Sequence, residues 1–327
     1  MIEIYNNPKQ LPDTWDTAAK DNYALKKDYL IHLHEYNPCK QTYVILDKGE
    51  ISSILVYYEL NMNIFTYSKL KLNIPITIIG IPCSVCEKGY SLSSKDTDEI
   101  GDYIKSIKGA KIILNAESSL DLKGFAKGHT LPACIMDVKW DSFDEYLSKL
   151  RSHYRYRYKK AFKKLDAISI KALNSSDFNF EHYSLYEQVY DKSQFKLEKL
   201  SFEFFKNAGE NIMEFSLSNT PVAFIQYKIV GREMVFLFGG MDYALNKEYD
   251  LYINMLLYIV RLAIENNCTH INFGQTAEEI KCRLGAFREY KYMYIHHSNP
   301  FLNKAVSLLQ DLFCYKLKDI RLKVLKV

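Results

Sequence analysis

No stretch of this sequence is apolar for long enough to cross a bilayer. The most apolar segment, LYINMLLYIVRLAI from Leu251 to Ile264, is short and interrupted by Arg261, so a buried helix is expected there. The opening residues, MIEIYNNPKQ, lack the basic-then-apolar pattern of a secretory signal. Cysteine forms no framework. Its seven residues are an odd, scattered set that suits free thiols in a reducing compartment, and a cytoplasmic protein is expected. Only Cys83 and Cys86 make a CxxC. No second CxxC or CxxH accompanies it, which argues against zinc, and two unrelated loop cysteines are favoured over a redox pair. Patterns such as HExxH, GxSxG and the P-loop lysine are missing, and the histidines have no acid or cysteine at a diagnostic spacing. No metal is expected. Nor does one charge dominate: 43 Lys and Arg against 39 Asp and Glu leave +4, too little to imply a nucleic-acid partner by itself.

What is present is a chain of 327 residues, longer than one hydrophobic core usually serves, so two domains or a duplicated unit are expected. TYVILDKGEISSILVYY reads as a hairpin about the turn signal Asp47-Lys48-Gly49-Glu50. NIPITIIGIP is extended, DTDEIGDYIKSI has helical spacing at Ile100, Tyr103, Ile104 and Ile107, and AKIILNA and LPACIMDV read as strands. A helix then starts sharply, with Ser142 and Glu145 as a capping box and Trp140 placed to pack on the first turn. One apolar face continues through Leu165. From Arg151 to Lys164 its outer face carries Arg151, Arg155, Arg157, Lys159, Lys160, Lys163 and Lys164 without an acid, interleaved with Tyr154, Tyr156 and Tyr158. After it come a strand (AISIKAL), two helices (FEHYSLYEQVY and LSFEFFKNA) and three strands (IMEFSLS, VAFIQYKIV, EMVFLFGG). The apolar helix, the strand HINFG, the helix AEEIKCRL and the strand YKYMYIHH follow.

That element order resembles the GNAT acyltransferase fold over Lys139 to His297, and the first portion repeats it in shorter form. Two segments resemble more narrowly the Fem-like, peptidoglycan-biosynthesis type of tandem GNAT protein. In LPACIMDVKWDSFDEYLSKLRSHYRYRYKKAFKKL an apolar strand leads to a Phe-x-x-Tyr-Leu helix and an Arg/Lys-rich continuation; INFGQTAEEIKCRLGAF is similar to the family's strand-Gly, helix-Lys, Gly-aromatic segment. The resemblance implies an α/β (α+β) chain of tandem GNAT-like domains, each a mixed, mostly antiparallel sheet flanked by helices. A degenerate domain would occupy residues 1–138, and residues 139–327 a second with the basic linker helix and a C-terminal amphipathic helix. Where GNAT enzymes commonly hold the CoA pyrophosphate on a Gln/Arg-x-x-Gly-x-Gly/Ala loop, this chain has GGMDYALNKEYD; where many place a tyrosine acid, it has Lys281.

What the resemblance implies chemically is N-acyl transfer by direct attack of an amine, small molecule or peptide, on an activated donor. Acyl-CoA is favoured as that co-substrate over aminoacyl-tRNA, with a carrier-protein thioester also open, and no cofactor is bound permanently. In this fold two neighbouring strands part and leave backbone amides to hold a reacting carbonyl; Met234–Gly240 and His270–Gly274 would flank the gap. Phe238, Gly239 and Gly240, with Asp250 and Asn254 on the helix that follows, are the expected donor contacts. Gly274, Gln275, Arg155 and Arg157 are expected on substrate. Glu248 and Asp242 are candidate bases, Tyr243 and Tyr249 candidate acids, and Lys281 a charge stabiliser. A plain structural reading stands beside each: Asp250 as a helix cap, Glu248 as a solvated loop charge, Lys281 as an exposed lysine on an amphipathic helix. The Arg151–Lys164 face is either a phosphate contact, for tRNA, CoA or a polyphosphoryl lipid head, or a solvated face; a non-enzymatic nucleic-acid-binding protein is the competing function. The segment from Phe301 to Val327 is expected to dock on the domain or on a second copy in a homodimer, with a membrane surface as the alternative.

Overall fold

A computed structural model of the chain describes residues 1–48 and 51–326. Two compact units emerge. The first comprises Met1–Pro132, Leu197–Phe204 and Tyr290–Lys318; the second comprises Ala133–Lys196, Phe205–Glu289 and Asp319–Val327.

The first half runs β1 (Ile2–Tyr5), α1 (Trp15–Ala19), α2 (Lys27–Tyr36), β2 (Gln41–Asp47), β3 (Ile51–Asn63), β4 (Asn73–Ile79), β5 (Tyr90–Ser91), α3 (Thr97–Ser106), β6 (Ala110–Ala116) and β7 (Ala126–His129). Then come β8 (Ala133–Asp137), α4 (Phe143–Lys149), α5 (Ser152–Lys163), β9 (Ser169–Leu173), α6 (Phe180–Lys192) and α7 (Phe202–Lys206). The chain continues through β10 (Asn211–Leu217), β11 (Thr220–Val230), β12 (Glu233–Met241), α8 (Tyr243–Tyr249), α9 (Leu251–Glu265), β13 (His270–Asn272), α10 (Glu278–Arg283) and β14 (Phe287–Glu289). It closes with β15 (Tyr292–His297), α11 (Pro300–Leu308) and α12 (Gln310–Phe313). The strands make two mixed sheets, ordered β1-β2-β3-β4-β6-β15-β7, with β5 on β3, and β14-β8-β13-β12-β11-β10-β9. Each is antiparallel except at one inner junction, β4 with β6 and β12 with β13. The α/β architecture with a repeated mixed sheet is the one expected.

Two strands exchange sheets relative to the expected 1–138 and 139–327 division. β8, the LPACIMDV strand, pairs with β13 and β14 of the second sheet, whereas β15 pairs with β6 and β7 of the first. Both strands are buried and apolar, so local pattern cannot tell which sheet takes them. The reversal expected at Asp47–Glu50 does join β2 to β3, but Gly49 and Glu50 lie outside the described residues.

The single helix expected from Ser142 to Leu165 is interrupted. Ser142 caps α4 as anticipated, accepting from the Glu145 N–H at 3.1 Å, and the Trp140 ring meets Tyr146 edge-on at 4.9 Å. At Leu150 the backbone turns extended and forms a bridge with Leu325. The Arg151 N–H donates to the Val324 carbonyl and the Lys326 N–H to that of Lys149, at 2.9 and 2.8 Å. The end of the chain is thus an extended stitch over the α4–α5 break, a departure from the expected amphipathic helix running to Val327. α9 is the central helix of the second unit, with Leu256, Leu257, Ile259, Val260 and Ala263 fully buried. Among the described residues no helix is long and apolar enough to cross a membrane.

Candidate functional site

In the second sheet β12 and β13 pair in parallel over only three positions, Glu233 with His270, Met234 with Ile271 and Val235 with Asn272. Past them the strands part. The β13 side stays with β8 through the Cys134 N–H on the Gly274 carbonyl and the Phe273 N–H on the Cys134 carbonyl, at 3.0 and 2.9 Å. On the other bank Phe236–Met241 continues along β11, and Leu237 is an extra residue between Phe236, opposite Tyr227, and Phe238, opposite Gln226. Such a bulge twists its strand away from the ladder. Backbone in the left-handed region clusters here: Gly274 at φ 71°, Thr276 at 64°, Ala277 at 46° and Asp250 at 50°. For a β-branched residue such as Thr276 that conformation is costly, and strain of this kind collects at binding and catalytic sites.

Packing requires the glycine at 240 and crowds the one at 239. A Cβ on Gly240 would lie 2.6 Å from the Tyr186 backbone nitrogen of α6, and one on Gly239 2.7 Å from Met255 Cε of α9. Phe238 stacks edge-on against Phe205 at 5.7 Å. The stretch after β12 is helical, where a loop was expected. Asp242 is the N-cap of α8, accepting from the Ala244 N–H at 2.8 Å, which is a structural use of that carboxylate. The half-buried Tyr243 ring lies under Lys192 Nζ, 3.9 Å from its centroid, and burial raises its hydroxyl pKa. Glu248 is exposed and bonds the Tyr249 hydroxyl, raising that group's pKa. Asp250 does not cap α9 through its side chain; it pairs with Lys164 at 2.7 Å. The Tyr252 N–H in the first turn of α9 is taken by Asn246. Asn254 is fully buried and donates to the Ala161 and Tyr249 carbonyls at 2.9 and 2.8 Å. It is a strut between α5 and α9.

On the β13 bank Lys281 is 3% exposed, which sets aside the alternative reading of an exposed lysine, and its Nζ donates to the Gln275 carbonyl at 2.6 Å and the Gly274 carbonyl at 3.4 Å. Burial of an ammonium is tolerated only with such partners. Beside it a buried ion pair joins Arg288 to Glu278 at 3.3 Å. Two thiols complete the cluster. Cys134 donates to Cys282, which together with burial pushes the Cys134 thiol up; Cys282 is held below its ordinary value, first by that bond and then by Arg288 and Lys281. Tyr252 of α9 lies within electrostatic reach of Cys134. The sequence reading missed Cys134, Cys282, Tyr252 and Arg288. The signal available was Cys282 beside Lys281 in KCRLG.

The remaining expected contacts separate. Arg155 turns onto the Ser148 and Leu150 carbonyls at the end of α4, while Arg157 stays exposed on α5 with Arg151, Lys159, Lys160 and Lys163. Tyr158 is buried with its hydroxyl on the Arg283 carbonyl at 2.6 Å, whereas Tyr156 faces solvent. In the first unit, where the parallel junction recurs, Gly89 lies so close on the Gly80 backbone that a Cβ would overlap it. Neither Cys83 nor Cys86 there is in a disulfide, and Cys83 receives a bond from Asn37 at 2.8 Å.

No family model matches this chain, and no curated protein matches it in sequence. Among solved structures it is similar to L-PGS from Bacillus licheniformis, at TM-score 0.57 and 12% identity over 95% of this chain and 98% of that one. It is similar to FemX at 0.54 and 12%, covering 84% and 92%, and to a tandem GNAT protein from the clavulanic acid biosynthesis pathway at 0.50 and 9%, covering 92% and 99%. The chain has the tandem GNAT-like fold.

Proposed function

We propose that this protein is an N-acyltransferase that moves an acyl group from an activated donor to an amine by direct attack. One observation carries the reading: β12 and β13 part after Val235 and Asn272, at a bulge and beside strained backbone. Backbone amides in such a gap are fixed dipoles, and aimed at a carbonyl oxygen they stabilise the oxyanion that forms on attack without reorganising. Removing one such donor typically costs on the order of 100-fold in rate. The amine nitrogen bonds to the carbonyl carbon, its proton passes to water or to Glu248, and collapse expels the thiolate or alkoxide with the electron pair. Lys281 positions the β13 bank by holding the Gly274 and Gln275 carbonyls.

For the donor we favour acyl-CoA, with aminoacyl-tRNA as the second reading because Arg151, Arg157, Lys159, Lys160 and Lys163 leave an exposed basic face on α5. The fold neighbour from the clavulanic acid pathway is described with reference to acetyl-CoA, which goes with the first donor. A cytoplasmic location goes with both. Native mass spectrometry of the protein offered CoA, acetyl-CoA and aminoacyl-tRNA tests the choice. Retained CoA supports the first donor and a stable RNA complex the second; retention of neither, with no thioester consumed in the presence of amines, overturns the proposal. Lys281→Met should lower turnover by about 10-fold or more through the displaced Gly274–Gln275 backbone, and Glu248→Gln by less. Full activity in both variants would remove their roles.

A further inference from the structure

Helix α11 is built the wrong way round for a helix on a protein surface. Its inward side carries Asn303, which donates to the Gly124 carbonyl at 3.1 Å and accepts from the His297 N–H at 3.0 Å, and Val306, which packs on the first unit's core. Its outward side carries an apolar stripe, with Lys304 and Ser307 exposed along one margin. Phe301 is 86% exposed and Leu308 76%, and Leu302, Leu309 and Leu312 are exposed with them. The spacing 301, 305, 308, flanked by 302, puts these side chains in one stripe on α11, which stops at Leu308; Leu309 sits in the break after it and Leu312 on the short helix α12. Contiguous apolar surface of this kind marks an interaction site on a protein that otherwise hides such residues.

Charge decides what covers it. Between Pro300 and Lys318 the sequence carries Lys304, Lys316 and Lys318 against one acid, Asp311. All three lysines are exposed, as is Leu317 between the last two. Of the two turns that touch this segment, one adds positive charge: Gly109 bonds Ser298 and follows the exposed Lys108, whereas Gly124, which accepts from Asn303, follows Lys123 in a turn whose exposed Asp121 offsets it. A second copy docking about a two-fold axis would set this stripe on itself and bring like charges together. An anionic lipid surface would instead receive the aromatic and leucine side chains in its acyl boundary and the lysines at its headgroups. We propose that α11 is a membrane-surface contact, seating the first unit on anionic bilayers without spanning them. This inference is independent of acyl transfer and survives its failure.

Co-sedimentation with vesicles tests it, comparing equal parts phosphatidylcholine and phosphatidylglycerol with phosphatidylcholine alone. The full chain should sediment with the anionic vesicles and far less with the neutral ones, and added salt should release it. The variant F301S/L308S, altered at two exposed positions and so expected to melt as the parent does, should partition about 100-fold more weakly. The variant K304Q/K316Q/K318Q should lose about fivefold per lysine on anionic vesicles and little on neutral ones. The proposal is overturned if the full chain binds neither vesicle, if F301S/L308S binds as the parent does, or if light scattering shows a dimer that this variant dissociates.

Discussion

At the scale of single residues, His296 shows how burial becomes a pH dependence. It lies on β15 opposite Lys111 of β6, its Nδ1 3.5 Å from the lysine Nζ and its ring 4.9 Å from that of Phe125. Burial first, then the charges of Lys111, Lys105 and His297, depress its pKa from 6.5 to about 4. The folded protein therefore refuses a proton that the unfolded chain accepts. Stability contributed by this site is present above the unfolded value and is lost as pH falls from there towards the folded value, by about 3 kcal/mol in all. In urea melts, His296→Phe should lose about 2–3 kcal/mol less than the parent between about pH 7 and about pH 4. Equal losses would show that another group carries the acid slope. Lys281 makes the same point about burial. Its place four residues before Gly285 was visible, but its burial was not, because AEEIKCRL has the charge pattern of a solvated helix, whereas the folded chain brings its ammonium onto the Gly274 and Gln275 carbonyls seven and six residues back.

Among elements, those specified by neighbouring residues were legible. The Ser142 cap, the Trp140 contact and the α9 core helix follow from patterns spanning a few residues. The helix break at Leu150 was hidden, since its cause lies at the far end of the chain. Val324 is buried, Leu325 bridges Leu150, and the side chain of Leu325 covers Gly285, whose φ of 107° leaves it no Cβ to spare. A chain ending at Lys323 loses that burial and two backbone hydrogen bonds. The combined loss is about 3 kcal/mol, or roughly 5–10 °C in calorimetric Tm. An unchanged Tm would make the tail a passenger. Asp242 and Glu248 illustrate the converse error: GGMDYALNKEYD stood where a loop was expected, but Asp242 caps the helix Tyr243–Tyr249, on which Glu248 is placed.

For the whole molecule, tandem order was legible and strand membership was not. The repeated element order follows from local periodicity, whereas the exchange of β8 and β15 between sheets depends on pairings over long sequence separations. It has a consequence for dissection. A chain of residues 1–138 lacks β15, which lies between β6 and β7, and it bares the Ala133–Asp137 strand that belongs to the second sheet. Such a fragment should melt without cooperativity and aggregate through its unpaired edges; a sharp, reversible transition by circular dichroism would contradict the exchange. The chemistry proposed for the molecule rests on the parted strands of the second sheet, and amide hydrogen exchange reads those strands directly. With acetyl-CoA added, protection should rise at Phe236–Met241 and at Gly274–Gln275 and stay unchanged at the paired Glu233–Val235. Unaltered exchange on both banks of the gap, with protection elsewhere or nowhere, would contradict the account.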